Sequence, residues 1–152
     1  MENNHEYFMK EAIKEAVKAE KIGEVPVGCV IVKDNKIIAR GYNKREKSQK
    51  TIMHAEIDAI NKANKKLSSW RLDDTSIYVT LEPCPMCAGA IINARIKNLI
   101  FGAFEPKFGA SKSITDLFSC AFNHEVNVTC GILEDEVKEL MKKFFKELRK
   151  NK

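Results

Sequence analysis

Two short runs constrain the folding of this chain more than any other feature: His54-Ala55-Glu56, and further on Pro83-Cys84-Pro85-Met86-Cys87. An imidazole and two thiols are ligands of the kind that bind zinc, and they make one site only if the fold brings the two runs together. A closed structural zinc site takes four side chains, whereas three and a water leave a coordination position open for chemistry. His54, Cys84 and Cys87 therefore predict a catalytic Zn2+, one per subunit. No further ligand stands at finger-like spacing to turn the group into a structural knuckle.

The local sequence indicates how the ligands are held. Pro85 suits the first position of a helix, where a missing amide proton costs nothing. Cys84 then caps that helix and Cys87 falls in its first turn. The partial positive charge at a helix N-terminus lowers thiol pKa, so both sulfurs are expected as thiolates. A second helix is predicted over 53–67, opened by His54, with Met53, Ile57, Ile60 and Leu67 on an apolar face. Residues two apart on a helix diverge by roughly 200°, so His54 and Glu56 can serve one site only from its irregular first turn. Two thiolates, a neutral imidazole and a divalent ion sum to zero, which leaves the metal able to acidify a water. Glu56 is the carboxylate that could carry the proton.

At 152 residues with 44% hydrophobic content, the chain reads as a single domain, 1–152. It opens without a basic-then-apolar signal and has no run of membrane-spanning length, so a cytoplasmic protein with no membrane partner is expected. Its five cysteines are an odd number without an export signal, which argues against a disulfide framework. Cys29, Cys120 and Cys130 are expected to be small buried hydrophobes. The net charge of +5 suits a polyanionic partner. Lys44, Arg45, Lys47 and Lys50 cluster just before His54 and, with Lys107, read either as a solvated charged surface or, beside a site, as a rim that contacts phosphates.

The rest of the chain supplies a scaffold. An amphipathic helix is expected over 6–21, stopped by Gly23. Strands over 25–32 and 37–42 flank a tight Asp34-Asn35 turn. A strand over 76–81, the helix 85–94 and a strand at 99–101 form a crossover unit, which pairs its strands in parallel and leaves the Cys84 turn at a carboxyl end. Residues 102–124 read as irregular, with a short helix near 114–118. A strand over 125–129 and a helix from Glu134 to about Lys150 close the chain; Val137, Leu140, Met141, Phe144 and Leu148 form that helix's apolar stripe. Phe145, beside the stripe, is expected in the core or an interface, and His5 and His124 in structural hydrogen bonds or at the surface.

His-x-Glu followed by Pro-Cys-x-x-Cys is the signature of the zinc nucleobase deaminases. Beyond it, Glu24-Val25-Pro26-Val27-Gly28, Asn43, Tyr78-Val79-Thr80-Leu81-Glu82-Pro83-Cys84, Met86-Cys87-Ala88-Gly89-Ala90, Phe101-Gly102-Ala103, Asn123-His124, Gly131-Ile132-Leu133 and Phe144-Phe145 also follow a family order. On these residues the chain resembles, over nearly its whole length, the bacterial tRNA adenosine deaminases of the cytidine-deaminase-like superfamily.

The resemblance implies an α/β chain in a three-layer α/β/α cytidine-deaminase-like fold with a mixed five-stranded sheet. It also implies a homodimer, and hydrolytic deamination of adenosine to inosine at the wobble position of a tRNA anticodon stem-loop, with the ACG anticodon of tRNA-Arg as the expected target. By position, Glu56 is the proton shuttle, and Asn43, Ala55 and Val27 bind the substrate base. The amide of Cys84 would help to hold the attacking water. The zinc signature alone also fits a deaminase of a free base or nucleoside such as guanine or cytosine, and a zinc-stabilised RNA-binding module that does no chemistry. The chain departs from the family at Lys50-Thr51-Ile52-Met53, and at Phe104, Glu105 and Phe108, where polar residues or aspartate are common. Phe104 and Phe108 suggest either base stacking or packing on the body or a dimer partner.

Overall fold

The computed structural model describes residues 3–150. Residues 1, 2, 151 and 152, which the single-domain expectation includes, lie outside the described residues. Helix α1 (Asn3–Lys21) leads into strands β1 (Gly28–Lys33) and β2 (Lys36–Tyr42), then a one-turn helix α2 (Arg45–Ser48) and helix α3 (Ala55–Leu67). Strand β3 (Thr75–Leu81), helix α4 (Pro85–Asn93) and strand β4 (Asn98–Ala103) form the crossover unit. A 3-10 turn at Leu117–Ser119, strand β5 (Asn127–Cys130) and helix α5 (Glu134–Lys150) complete the order.

The strands make one five-stranded sheet in the order β2-β1-β3-β4-β5. β1 is antiparallel to both β2 and β3, while β3, β4 and β5 run parallel, so the sheet is mixed as expected. Asp34 and Asn35 have φ of 50° and 64°, the left-handed pair that a type I′ hairpin turn requires. The central strands are apolar on both sides because both sides are covered. Cys29, Ile31, Ile77, Val79, Leu99 and Phe101 meet α3 and α4 on one face. Val30, Val32, Tyr78 and Ile100 meet Phe8, Met9 and Ala12 of α1 on the other, where Ile132 and Leu133 at the entry to α5 also pack.

Two glycines set how closely the layers approach. A Cβ on Gly28 would lie 2.0 Å from the Ala12 carbonyl of α1, and one on Gly41 would lie 2.5 Å from the Ala55 carbonyl of α3. The helices rest directly on backbone at these points. Ala55, Ala59 and Ala63 form the buried face of α3 together with Ile60, whereas Met53, Ile57 and Leu67 are only half-buried. Small side chains, not the larger hydrophobes, therefore decide which face of α3 turns inward.

Several boundaries move. The strand expected from residue 25 begins at Gly28, the helix expected from residue 53 begins at Ala55, and the last strand is Asn127–Cys130. The short helix expected near 114–118 is the 3-10 turn instead, because Asp116 accepts from the amides of Phe118 and Ser119 and caps it there. Cys29 is buried, but Cys120 and Cys130 are exposed, which corrects the expectation for those two. Cys130 ends the edge strand β5, and only Val128 of that strand packs against the core, so an apolar run near it is no sign of cover. Among the described residues no helix is long and apolar enough to cross a membrane.

Candidate active site

Strand β3 runs into Glu82-Pro83 and delivers Cys84 at the N-cap of α4, with Pro85 at the start of the helix. His54 occupies the same position on α3. Both caps are extended, His54 at φ −75°, ψ 161° and Cys84 at φ −74°, ψ 172°, so each side chain stands at the mouth of its helix. Cys87 lies in the first turn of α4 and Glu56 in the first turn of α3, which is how His54 and Glu56 escape their helical divergence.

The ligand atoms of His54, Cys84 and Cys87 all lie within 4.8 Å of one another. His54 Nδ1 is 3.6 Å from Cys84 Sγ and 3.5 Å from Cys87 Sγ. A tetrahedral ion with ordinary zinc–nitrogen and zinc–sulfur bonds has nitrogen-to-sulfur edges of about 3.6 Å. The donor set and its spacing thus fit a zinc-type ion with Nδ1 as the histidine ligand.

The charges in the cluster are interdependent. A hydrogen bond from the Cys87 thiol, with further help from the His54 ring and the Cys87 amide, outweighs burial and lowers Cys84 to about 4. Cys87 moves upward, because it donates to that thiolate and is itself buried beside Glu56. The expectation of two thiolates therefore holds for Cys84 alone until a cation displaces the Cys87 proton. Burial raises Glu56 to about 7, against the opposing effects of its own amide and of His54. A carboxyl poised there can both accept and donate a proton near neutral pH.

These residues line a cleft of ≈ 500 Å³ that also takes in Val27, Asn43 and Ala55. Asn43 is 9% exposed and oriented by two hydrogen bonds: its amide donates to the Val25 carbonyl, and its oxygen accepts from the Arg45 amide, which leaves one N–H and one lone pair for a ligand. Of the basic cluster only Arg45 lines the cleft. Lys47, Lys50 and Lys107 are exposed on neighbouring segments. Lys44 departs from the expected rim. Its ammonium is 2.8 Å from the buried Asp58 carboxylate and 4.5 Å from the Tyr42 ring centroid, so it fastens the basic segment to α3. His5 and His124 hydrogen-bond Tyr78 Oη and the Ile96 carbonyl, as expected. Phe145 is 38% exposed and packs edge-on against Phe144.

Two buried carboxylates that sequence reasoning assigned no role organise the rims. Glu24, 2% exposed, accepts from the amides of Glu46 and Lys47 and so supplies the cap that α2 lacks at Lys44. Glu82, also 2% exposed, accepts from the amides of Glu105, Ser111, Lys112 and Ser113 and from the Ser113 hydroxyl. Burial by itself would raise Glu82, but these donors outweigh it and hold the carboxyl below its ordinary range. The available signal was an acid at the end of an apolar run, where burial is expected and a compensating donor set must follow.

Residues 3–149 match the family model of the MafB19-like deaminases. The chain is 51% identical over 148 residues to a tRNA-specific adenosine deaminase of Bacillus subtilis (strain 168), an alignment that covers 97% of this chain and 92% of the relative. A solved structure from studies of A-to-I editing by tRNA deaminases at the wobble position of transfer RNA is 42% identical, with a TM-score of 0.86 over 88% of this chain and 98% of that one. A guanine deaminase from Bacillus subtilis is 36% identical, with a TM-score of 0.65 over 79% of this chain and 87% of that one.

Proposed function

The chain belongs to the MafB19-like deaminase family, and on that premise we propose that it hydrolyses adenosine to inosine at the wobble position of a tRNA anticodon. One observation carries the reading: Glu56 shares a cleft with the converged His54, Cys84 and Cys87, in a chain 51% identical to a tRNA-specific adenosine deaminase.

His54, Cys84 and Cys87 hold one Zn2+ per subunit in this reading. A bound ion would supply the Lewis acidity that makes water a nucleophile near neutral pH. Glu56 takes the proton the water loses as its oxygen bonds to purine C6, and hands it to the ring nitrogen. A second proton passes through Glu56 from the new hydroxyl to the amino group. The C6–nitrogen bond breaks, ammonia leaves and inosine remains. Asn43, Ala55 and Val27 contact the base, Asn43 in an orientation set by Val25 and Arg45. The Cys84 amide, at the mouth of α4, faces the attacking oxygen. Arg45, Lys47, Lys50 and Lys107 meet the RNA backbone, while Lys44 holds their segment in place. The homodimer, the single-domain organisation and the cytoplasmic location rest on the family likeness and on the sequence.

Purified, zinc-loaded protein incubated with a tRNA bearing an ACG anticodon should produce an A-to-G change at the wobble position on sequencing. Unedited tRNA together with ammonia release from guanine or cytosine would transfer the protein to the free-base alternative. Salt-sensitive tRNA binding without turnover of either substrate would leave a binding module.

A further inference from the structure

Phe104 and Phe108 sit on the same loop and behave differently. Phe104 is 36% exposed and packs edge-on against buried Phe101, with ring centroids 5.3 Å apart, so one side of its ring rests on the body of the protein. Phe108 is 67% exposed, yet it lines the cleft that holds His54, Cys84 and Glu56. An aromatic ring on a loose loop would ordinarily fold down onto nearby apolar surface. Here the loop is held from beneath by Glu82, whose carboxylate gathers donors from Glu105, Ser111, Lys112 and Ser113. Gly109, next to Phe108, is closed against the same carboxylate, since a Cβ there would lie 2.3 Å from the Glu82 carboxyl carbon. The exposure of Phe108 is therefore built into the loop and maintained at the expense of a buried charge.

We propose that Phe108 is a stacking platform for the nucleobase adjoining the target adenosine, and that Glu82 is the positioning residue that keeps its loop in place. Every base has a π-face, so an aromatic ring at the mouth of the cleft can hold a neighbour of whatever sequence. A loop whose backbone is already held loses less conformational entropy when it binds, which is what the Glu82 cradle provides on either side of Phe108. The inference rests on the tRNA reading above and adds a contact to it.

The test measures binding of an anticodon stem-loop to Glu56→Gln protein, which separates affinity from turnover. Adding Phe108→Ala should weaken binding by about 5- to 150-fold, the range for loss of one stacked base, and Phe108→Trp should restore it. Removing the base on the 5′ or the 3′ side of the target should cost one of the two RNAs a similar factor. That RNA should then lose nothing further with Phe108→Ala. Losses that multiply, or a Phe108→Ala protein that binds as before, would overturn the proposal. A change of oligomeric state in Phe108→Ala, read by sedimentation, would also overturn it, because the ring would then pack on a second copy.

Glu82→Gln should reproduce the Phe108→Ala loss while metal content is retained, and combining the two substitutions should add nothing. Should Glu82→Gln fail to fold, Gly109→Ala disturbs the same contact from the other side and should give the same result. Full affinity in a folded Glu82 or Gly109 variant would remove the positioning role. Wild-type protein that edits no tRNA defeats the functional reading itself, whereas wild-type and Phe108→Ala proteins that edit equally defeat only this inference.

Discussion

At the scale of single residues, chemistry here depends on which groups are denied water. Glu56 is 3% exposed, and burial moves its carboxyl to about 7, a value at which one side chain can both accept and donate a proton near neutral pH. Glu56→Gln keeps the volume and removes that exchange. Its kcat should fall by about 10²- to 10⁴-fold, the usual contribution of a positioned acid–base group, while elemental analysis still finds the metal. Loss of metal in this variant would place Glu56 among the ligands and contradict the assignment. Lys44 makes the complementary point. A lysine in a basic run has the composition of a phosphate contact, but Asp58 behind it accepts from the Tyr42 amide and lies within 3.5 Å of both the Lys44 and the Lys62 ammonium. That buried carboxylate needs a counter-charge more than the surface needs a free one.

At the scale of elements, the candidate ligands His54, Cys84 and Cys87 are placed by how two helices begin and by how closely one of them docks. The Pro-Cys-Pro run made the start of α4 readable in advance, because proline tolerates the first helical position and few others. The start of α3 was readable to within a residue or two, since the His-x-Glu spacing demands a first turn. What holds α3 at its height above the sheet is Gly41, where an added Cβ would lie 2.5 Å from the Ala55 carbonyl and 2.6 Å from the Ala59 amide. Neither neighbour is a side chain that can swing aside. Gly41→Ala should therefore lift the N-terminal part of α3 and His54 with it, costing about 1–3 kcal/mol as an overpacking change. The observable is a lower Tm accompanied by faster loss of metal to a chelator. An unchanged Tm would mean that α3 does not seat on β2 backbone as described. Periodicity could not reveal this, because a glycine in a strand looks the same whether a helix lies against it or not.

At the scale of the whole molecule, the outer layers are tied to the sheet by charge as well as by apolar contact. Arg40 of β2 reaches Glu11 at 2.7 Å and Glu15 at 3.3 Å on α1, both acids being buried beside Ala12 and Ala16. Lys14 first and Arg40 second hold the Glu11 carboxyl below its ordinary value. A depressed carboxylate contributes stability that is complete above the unfolded pKa and disappears as the pH falls through the lower folded value. Unfolding followed from neutral pH into acid should show that loss, and Glu11→Gln should flatten the limb at a cost of about 1 kcal/mol at neutral pH, kept small by an Arg40 side chain that is 39% exposed. An acid limb unaltered in Glu11→Gln would assign the pairing no net energy. By itself the sequence determined the order of the elements and singled out His54, Cys84, Cys87 and Glu56 as one candidate site, because ligand chemistry, helix starts and apolar periodicity are local properties written in consecutive residues; the mixed five-stranded sheet was legible only through the family resemblance. Only the tertiary structure decided that Lys44 serves Asp58, that Glu24 and Glu82 hold the two rims, and that Phe108 is more exposed than Phe104. Each of those outcomes is settled by which distant group shares a buried space, and a linear chain carries no record of that until it has folded.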